Sequence, residues 1–321
     1  QTLTRALPGA LNKELFPWLQ ALYPVWANLN DDAIFASTQL ALSELLLSGC
    51  TTAADHHYVF SSIMPHAIDA QVAAAKTIGN RVTLTRGSMS LGQSKGGLPP
   101  DSVVESDEKI LSESARLINR YHDISENSFC QIALAPCSPF SVTPDLMRAT
   151  AVLAQQKNVL LHTHLGETED ENNFCLKQFG MRPVDYLDDV GWLNNRVWLA
   201  HGIHFNEEEI ARLGHACVGV CHCPSSNMLL ASGMCHTRDL QRAGAPVGLG
   251  VDGSASNDGS NMIQEVRQAM LLQKLRYGSA NFTHIDALQL ATTGSATLLH
   301  RPELGEFAVG QQADLALFNL N

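Results

Sequence analysis

The sequence predicts an α/β fold, a (β/α)8 barrel whose first strand is expected upstream of Gln1. Three observations predict it. One unit recurs along the 321 residues: a short apolar run, a loop rich in Gly, His, Cys or Pro, then a longer helical stretch. Seven such apolar runs are visible. Polar residues gather at or just after their C-terminal ends, namely Asp55, His56, His57, Cys137, His162, His164, Glu167, His201, Cys223 and Asp252. Drawing chemistry from many strand ends separates a barrel from an open sheet.

Taken in order, Asp31–Leu47 carries apolar residues at helical spacing and ends near Gly49, as a helix does. The candidate strands are Cys50–Asp55, Arg81–Thr85, Cys130–Ala135, Asn158–His164, Arg196–His201, Cys217–Cys223 and Pro246–Asp252. They are mostly continuous apolar runs, which suits parallel strands covered on both faces. Thr143-Pro144 gives an N-cap followed by proline at the first helical position, opening a helix toward Gln156. Asn206 with Glu209 predicts a capping box before Ile210. The chain opens on Gln rather than Met, and the eighth strand is expected before it. Residues 310–320 alternate like a new strand. Residues 1–300 are therefore read as the barrel, and 301–321 as the truncated beginning of a small β-sandwich-type domain.

Composition excludes several classes of partner. A net charge of −11 and a pI near 5.6 argue against a nucleic-acid backbone or an anionic membrane surface. No apolar stretch approaches the roughly 18 residues of a membrane helix, and no signal peptide is visible. The eight cysteines form no C-x-x-C pair and read as reduced thiols of a cytoplasmic protein. No G-x-G-x-x-G follows the first run and no P-loop occurs, which weakens any nucleotide-cofactor reading.

His162-Thr163-His164-Leu165-Gly166-Glu167 is the richest motif. Histidines two apart in a strand share a face, and the carboxylate beyond the strand end can reach a metal-bound water. The alternative is a buried His pair with a surface Glu. His164 and Asp252 are the best ligand candidates for a zinc-like ion, which takes imidazole and carboxylate donors at about 2 Å and keeps one position open. Asp252 also reads as an Asp turn or helix cap. His201, ending Val197–His201, suits a hydrogen-bond donor to developing negative charge or a satisfied structural group. Two ligands do not hold a catalytic zinc, so the others are expected upstream. Cys221-His222-Cys223 makes a poor zinc finger, because alternation sends His222 away from both cysteines.

These residues resemble the amidohydrolase superfamily, in its mononuclear-metal deaminase and chlorohydrolase branch. The likeness rests on His162-Thr-His164-Leu-Gly-Glu167, Leu199-Ala-His201-Gly-Ile-His-Phe205, Cys223-Pro-Ser-Ser-Asn227 and Gly250-Val-Asp252-Gly, in family order over nearly the whole chain. The resemblance implies a first-strand His-x-His pair followed by a Gln, which Gln1 matches; the pair would lie upstream. It implies His164 as third ligand, Asp252 as fourth ligand and proton acceptor, Glu167 as proton shuttle and His201 beside the metal. No Lys ends Cys130–Ala135, which favours one divalent ion, Zn2+ or else Fe2+. The implied reaction is hydrolytic deamination of an oxidised purine, with hydroxytriazine aminohydrolases and chlorohydrolases as the alternative. Candidate substrate contacts are Gln1, Arg5, His57, Cys137 and Asn227; loop hydrogen bonding, a surface charge, strand capping and loop anchoring are their plainer roles. A homo-oligomer is expected.

Overall fold

The computed structural model describes residues 1–319. Two helices lead in, α1 (Leu15–Trp26) and α2 (Asp31–Leu47). Seven strands follow: β1 (Thr52–His57), β2 (Arg81–Ser88), β3 (Cys130–Pro136), β4 (Leu161–Leu165), β5 (Val197–His201), β6 (Gly219–His222) and β7 (Val247–Leu249). They pair in sequential order, all parallel. Helices make every crossover: α3 (Ala67–Ile78), α4 (Asp107–Tyr121), α5 (Pro144–Lys157), α6 (Glu169–Phe179) with α7 (Pro183–Asp189), α8 (Glu207–His215), and α9 (Pro224–Leu229) with α10 (Thr237–Ala243). α11 (Met262–Tyr277) follows β7. The sheet curls. His56 on β1 stacks on His164 of β4 with ring centroids 4.7 Å apart, although the two strands are not neighbours.

Local chemistry explains the boundaries. Asn30 caps α2 by accepting the Ala33 amide at 2.9 Å, and two aspartates open its first turn. Thr143 caps α5 with Pro144 at its first position, and Asn206 with Glu209 forms the expected capping box at α8. The strands are shorter than their apolar runs at β4, β6 and β7, because Asn158 takes a left-handed cap and residues 250–252 leave the ladder. Buried Val, Leu and Ile from β2–β7 join Trp192, whose indole N–H donates to the Met147 carbonyl at 2.9 Å.

Among the described residues of 301–319 no strand forms. The segment runs back along the sheet's N-terminal end, where Arg81 grips Asp314 at 2.8 Å and Gln312 at 3.1 Å. The described part of the alternating run therefore joins no sheet here. No helix among the described residues is long and apolar enough to cross a membrane.

Candidate active site

The C-terminal strand ends bring all four predicted catalytic and metal-ligand residues to one pocket. His164, Glu167, His201 and Asp252 line it together with Gln1, Cys137, Tyr58 and Ser256. Leu15, Trp18 and Leu19 from α1, with Phe140 and Leu230, supply an apolar wall. This wall was missed from sequence, although Leu15, Trp18, Leu19, Leu22 and Trp26 have helical spacing that could have revealed it.

His164 donates from Nδ1 to the Cys137 carbonyl at 2.7 Å. That bond leaves the Nε2 lone pair as the free donor atom, the state of a metal-ligating imidazole. Burial, then the nearby His201, pushes its pKa down to about 4, so it stays neutral. His162 shares the strand face but lies outside the pocket lining. It stacks on Trp198 at 4.5 Å and donates from Nδ1 to the Trp198 carbonyl.

Asp252 stands past β7 with φ 58°, a left-handed conformation that costs a non-glycine residue about 1–3 kcal/mol. Three groups donate to its carboxylate: the Ser226 hydroxyl at 2.5 Å, the Ser256 hydroxyl at 3.3 Å and the Gly253 amide at 2.6 Å. Burial alone would raise its pKa; His201, Ser226 and His164 outweigh it and hold the carboxyl below its usual range. Gly253 leaves room for Gln1, since a Cβ there would lie 1.9 Å from the Gln1 side chain and displace it.

Glu167 sits in a different field. It is 3% exposed, and burial pushes its carboxyl up to about 7 while His201 pulls it down and Asp252 adds to the rise. His201 Nε2 lies 3.4 Å from its Oε2. His201 also takes a left-handed backbone, φ 76°, and donates from Nδ1 to Asn227 Oδ1 at 2.8 Å. Burial favours its neutral form, but Glu167, Asp252 and the Asn227 acceptor together raise its pKa. With Nδ1 committed to Asn227, the Nε2 of His201 is the ring atom that faces Glu167.

The other expected contacts divide. Gln1 reaches the pocket, and its Oε1 is buried without a partner. Cys137 lines it as a neutral thiol, its pKa pushed up to about 12 by burial. Arg5 instead forks onto Glu44 at 2.7 and 2.5 Å and donates to Ser254 at 3.1 Å, bracing the loop after β7. Asn227 is buried behind His201, and His57 packs edge-on against Phe60; neither lines the pocket. Asp55 accepts from Gln71 at 2.5 Å. His222 faces Gln273, away from Cys221 and Cys223.

The donor set fits a divalent ion in kind: an imidazole with a free Nε2 and a carboxylate held by three donors. It does not complete one, for among the described residues no group of three or more His, Cys, Asp or Glu converges closely enough to hold an ion.

A curled parallel sheet with imidazoles and two differently tuned carboxylates at its C-terminal ends defines a hydrolytic enzyme of barrel type. The chain belongs to the amidohydrolase family, whose model matches residues 6–321. It is 62% identical to the 8-oxoguanine deaminase of Pseudomonas aeruginosa over 321 residues, covering all of this chain and 72% of that protein. It is 38% identical to hydroxydechloroatrazine ethylaminohydrolase from a Pseudomonas species, covering 96% of this chain and 64% of that one. Among solved structures, the zinc complex of atrazine chlorohydrolase from Arthrobacter aurescens superposes with a TM-score of 0.92 at 33% identity, over 97% of this chain and 70% of that chain.

Proposed function

We propose that the protein hydrolyses the exocyclic amine of an oxidised purine, 8-oxoguanine, releasing ammonia and urate. The observation that carries this reading is the pairing of Glu167 and Asp252 across one pocket beside the free Nε2 of His164. The 62% identity to an 8-oxoguanine deaminase supports the choice of substrate.

His164 and Asp252 would hold one divalent ion, Zn2+ as first choice and Fe2+ as second, with two further histidines upstream of Gln1 completing the set. Such an ion supplies a water acidified toward neutral pH. Asp252, kept ionised, would take the proton of the attacking water. Glu167, kept protonated near neutrality, donates to the ring nitrogen beside the amine-bearing carbon. The water oxygen bonds to the amine-bearing carbon while His201 directs Nε2–H at that oxygen, and the proton taken by Asp252 passes to the amine as the C–N bond breaks and ammonia leaves. Trp18, Leu19 and Phe140 form the apolar wall for a flat ring, while the unpartnered Gln1 Oε1 and the Cys137 thiol offer edge contacts. Arg5 acts on the ring only through the Ser254 loop it braces.

The same reading makes the enzyme cytoplasmic and homo-oligomeric; all eight cysteines are free thiols, as a reducing compartment keeps them. It also reads 301–321 as the truncated beginning of a small β-sandwich-type domain after a barrel whose first strand precedes Gln1. The test is ammonia release by the full-length, metal-loaded protein from 8-oxoguanine, guanine, isoguanine, cytosine and hydroxytriazines. Highest kcat/KM on 8-oxoguanine is expected; preference for a hydroxytriazine would replace the substrate while keeping the chemistry.

A further inference from the structure

Glu171 is fully buried on the first turn of α6 and takes no part in the chemistry above. Its Oε1 accepts the Gly166 amide at 2.8 Å and its Oε2 the Glu167 amide at 3.2 Å. Thr168, the N-cap of α6, accepts the Glu171 amide at 3.3 Å. A Thr-x-x-Glu sequence ordinarily closes a capping box, in which the Glu returns to the N-cap amide. Here the carboxylate passes that amide and grips the two before it.

The peptide it grips is held from the other side as well. The Gly166 carbonyl accepts from the Ile203 and His204 amides at 2.7 and 2.8 Å. Gly166 has φ 66°, and a Cβ there would lie 2.4 Å from the Phe205 ring. The turn that carries Glu167 is thus clamped between α6 and the loop after His201. For stability alone this is a costly choice. Burial pushes the Glu171 carboxyl up to about 8, against the pull of its two amide donors.

We propose that Glu171 is a positioning residue: its carboxyl group fixes the Gly166–Glu167 backbone so that the Glu167 side chain meets both the substrate ring and His201. The inference rests on the reading of Glu167 as the proton carrier, and it predicts a loss in kcat rather than in binding.

The test uses the full-length, metal-loaded enzyme. Gln at 171 keeps the volume but offers one acceptor oxygen, and its NH2 opposes the second amide. Glu171→Gln should lower kcat on the order of 10–10²-fold, with KM and metal content unchanged. In Glu167→Gln, the added Glu171→Gln should cost nothing more, since residues acting through one another are non-additive. Unchanged kcat in Glu171→Gln, a rise in KM alone, or full additivity in the double variant would overturn the inference and leave the Glu167 assignment standing. Full activity in Glu167→Gln would remove that assignment and the inference with it. Should Glu171→Gln fail to fold, Thr168→Val loosens the base of the same clamp, and a fall in kcat without a change in KM decides for the proposal, unchanged kcat against it.

Discussion

Glu167 and Asp252 line one pocket, and their surroundings treat the same functional group in opposite ways. Asp252 accepts from two hydroxyls and an amide and has His201 and His164 nearby, so its anion is favoured. Glu167 has His201 alone at 3.4 Å, little solvent and a neighbouring anion, so its proton is retained. Burial penalises both anions; at Asp252 the charge of His201, the Ser226 hydroxyl, the charge of His164 and the Gly253 amide together outweigh it, and at Glu167 His201 alone does not. A carboxyl at a strand end is thus made a base or an acid by the charges and donors that neighbouring strand ends bring to it.

The comparison can be broken most decisively by removing each group. Asp252→Ala should lower turnover about 10⁴-fold or more, and bound metal measured by elemental analysis should fall with it. Glu167→Gln should lower turnover roughly 10²–10⁴-fold with metal content unchanged. Equal metal retention in both variants would erase the distinction. Next, kcat should decline as pH rises through about 7, because the Glu167 proton is lost there; a flat profile from pH 6 to 8.5 (a range of about one unit or more on each side) contradicts the acid role. Smaller again, Asn227→Leu leaves His201 Nδ1–H without its acceptor and should cost about tenfold in kcat. Least, Ser226→Ala removes one donor from Asp252 and should move the acidic limb of the pH–rate profile upward by about one unit. An unmoved limb would show that the hydroxyl does not tune the base.

Much of this was legible in sequence because it is local. The helix Asp31–Leu47 and the starts of β2 and β3 follow from caps and apolar period, and the capping box at Asn206 is written in four residues. His164, Glu167, His201 and Asp252 could be read as strand-end groups for the same reason. What escaped depends on elements far apart in the chain. Asn227 looked like a substrate contact, but its amide meets His201, 26 residues away. Arg5 offered a charge whose partner, Glu44, lies on α2. The last strand was read through to Asp252, whereas the ladder stops at Leu249, since apolarity continues into a loop whose left-handed turn no hydropathy pattern records.

The strictly sequential order of the seven strands has a consequence for how such a pocket can change over time. Each strand-end loop departs from one strand and returns to its immediate neighbour, so no loop threads beneath another. A mutation that lengthens or rewrites one rim segment leaves the other segments anchored where they were. Selection can therefore explore new leaving groups and ring shapes one segment at a time, on a chassis that a chlorohydrolase and this chain still share with a TM-score of 0.92 at one-third identity.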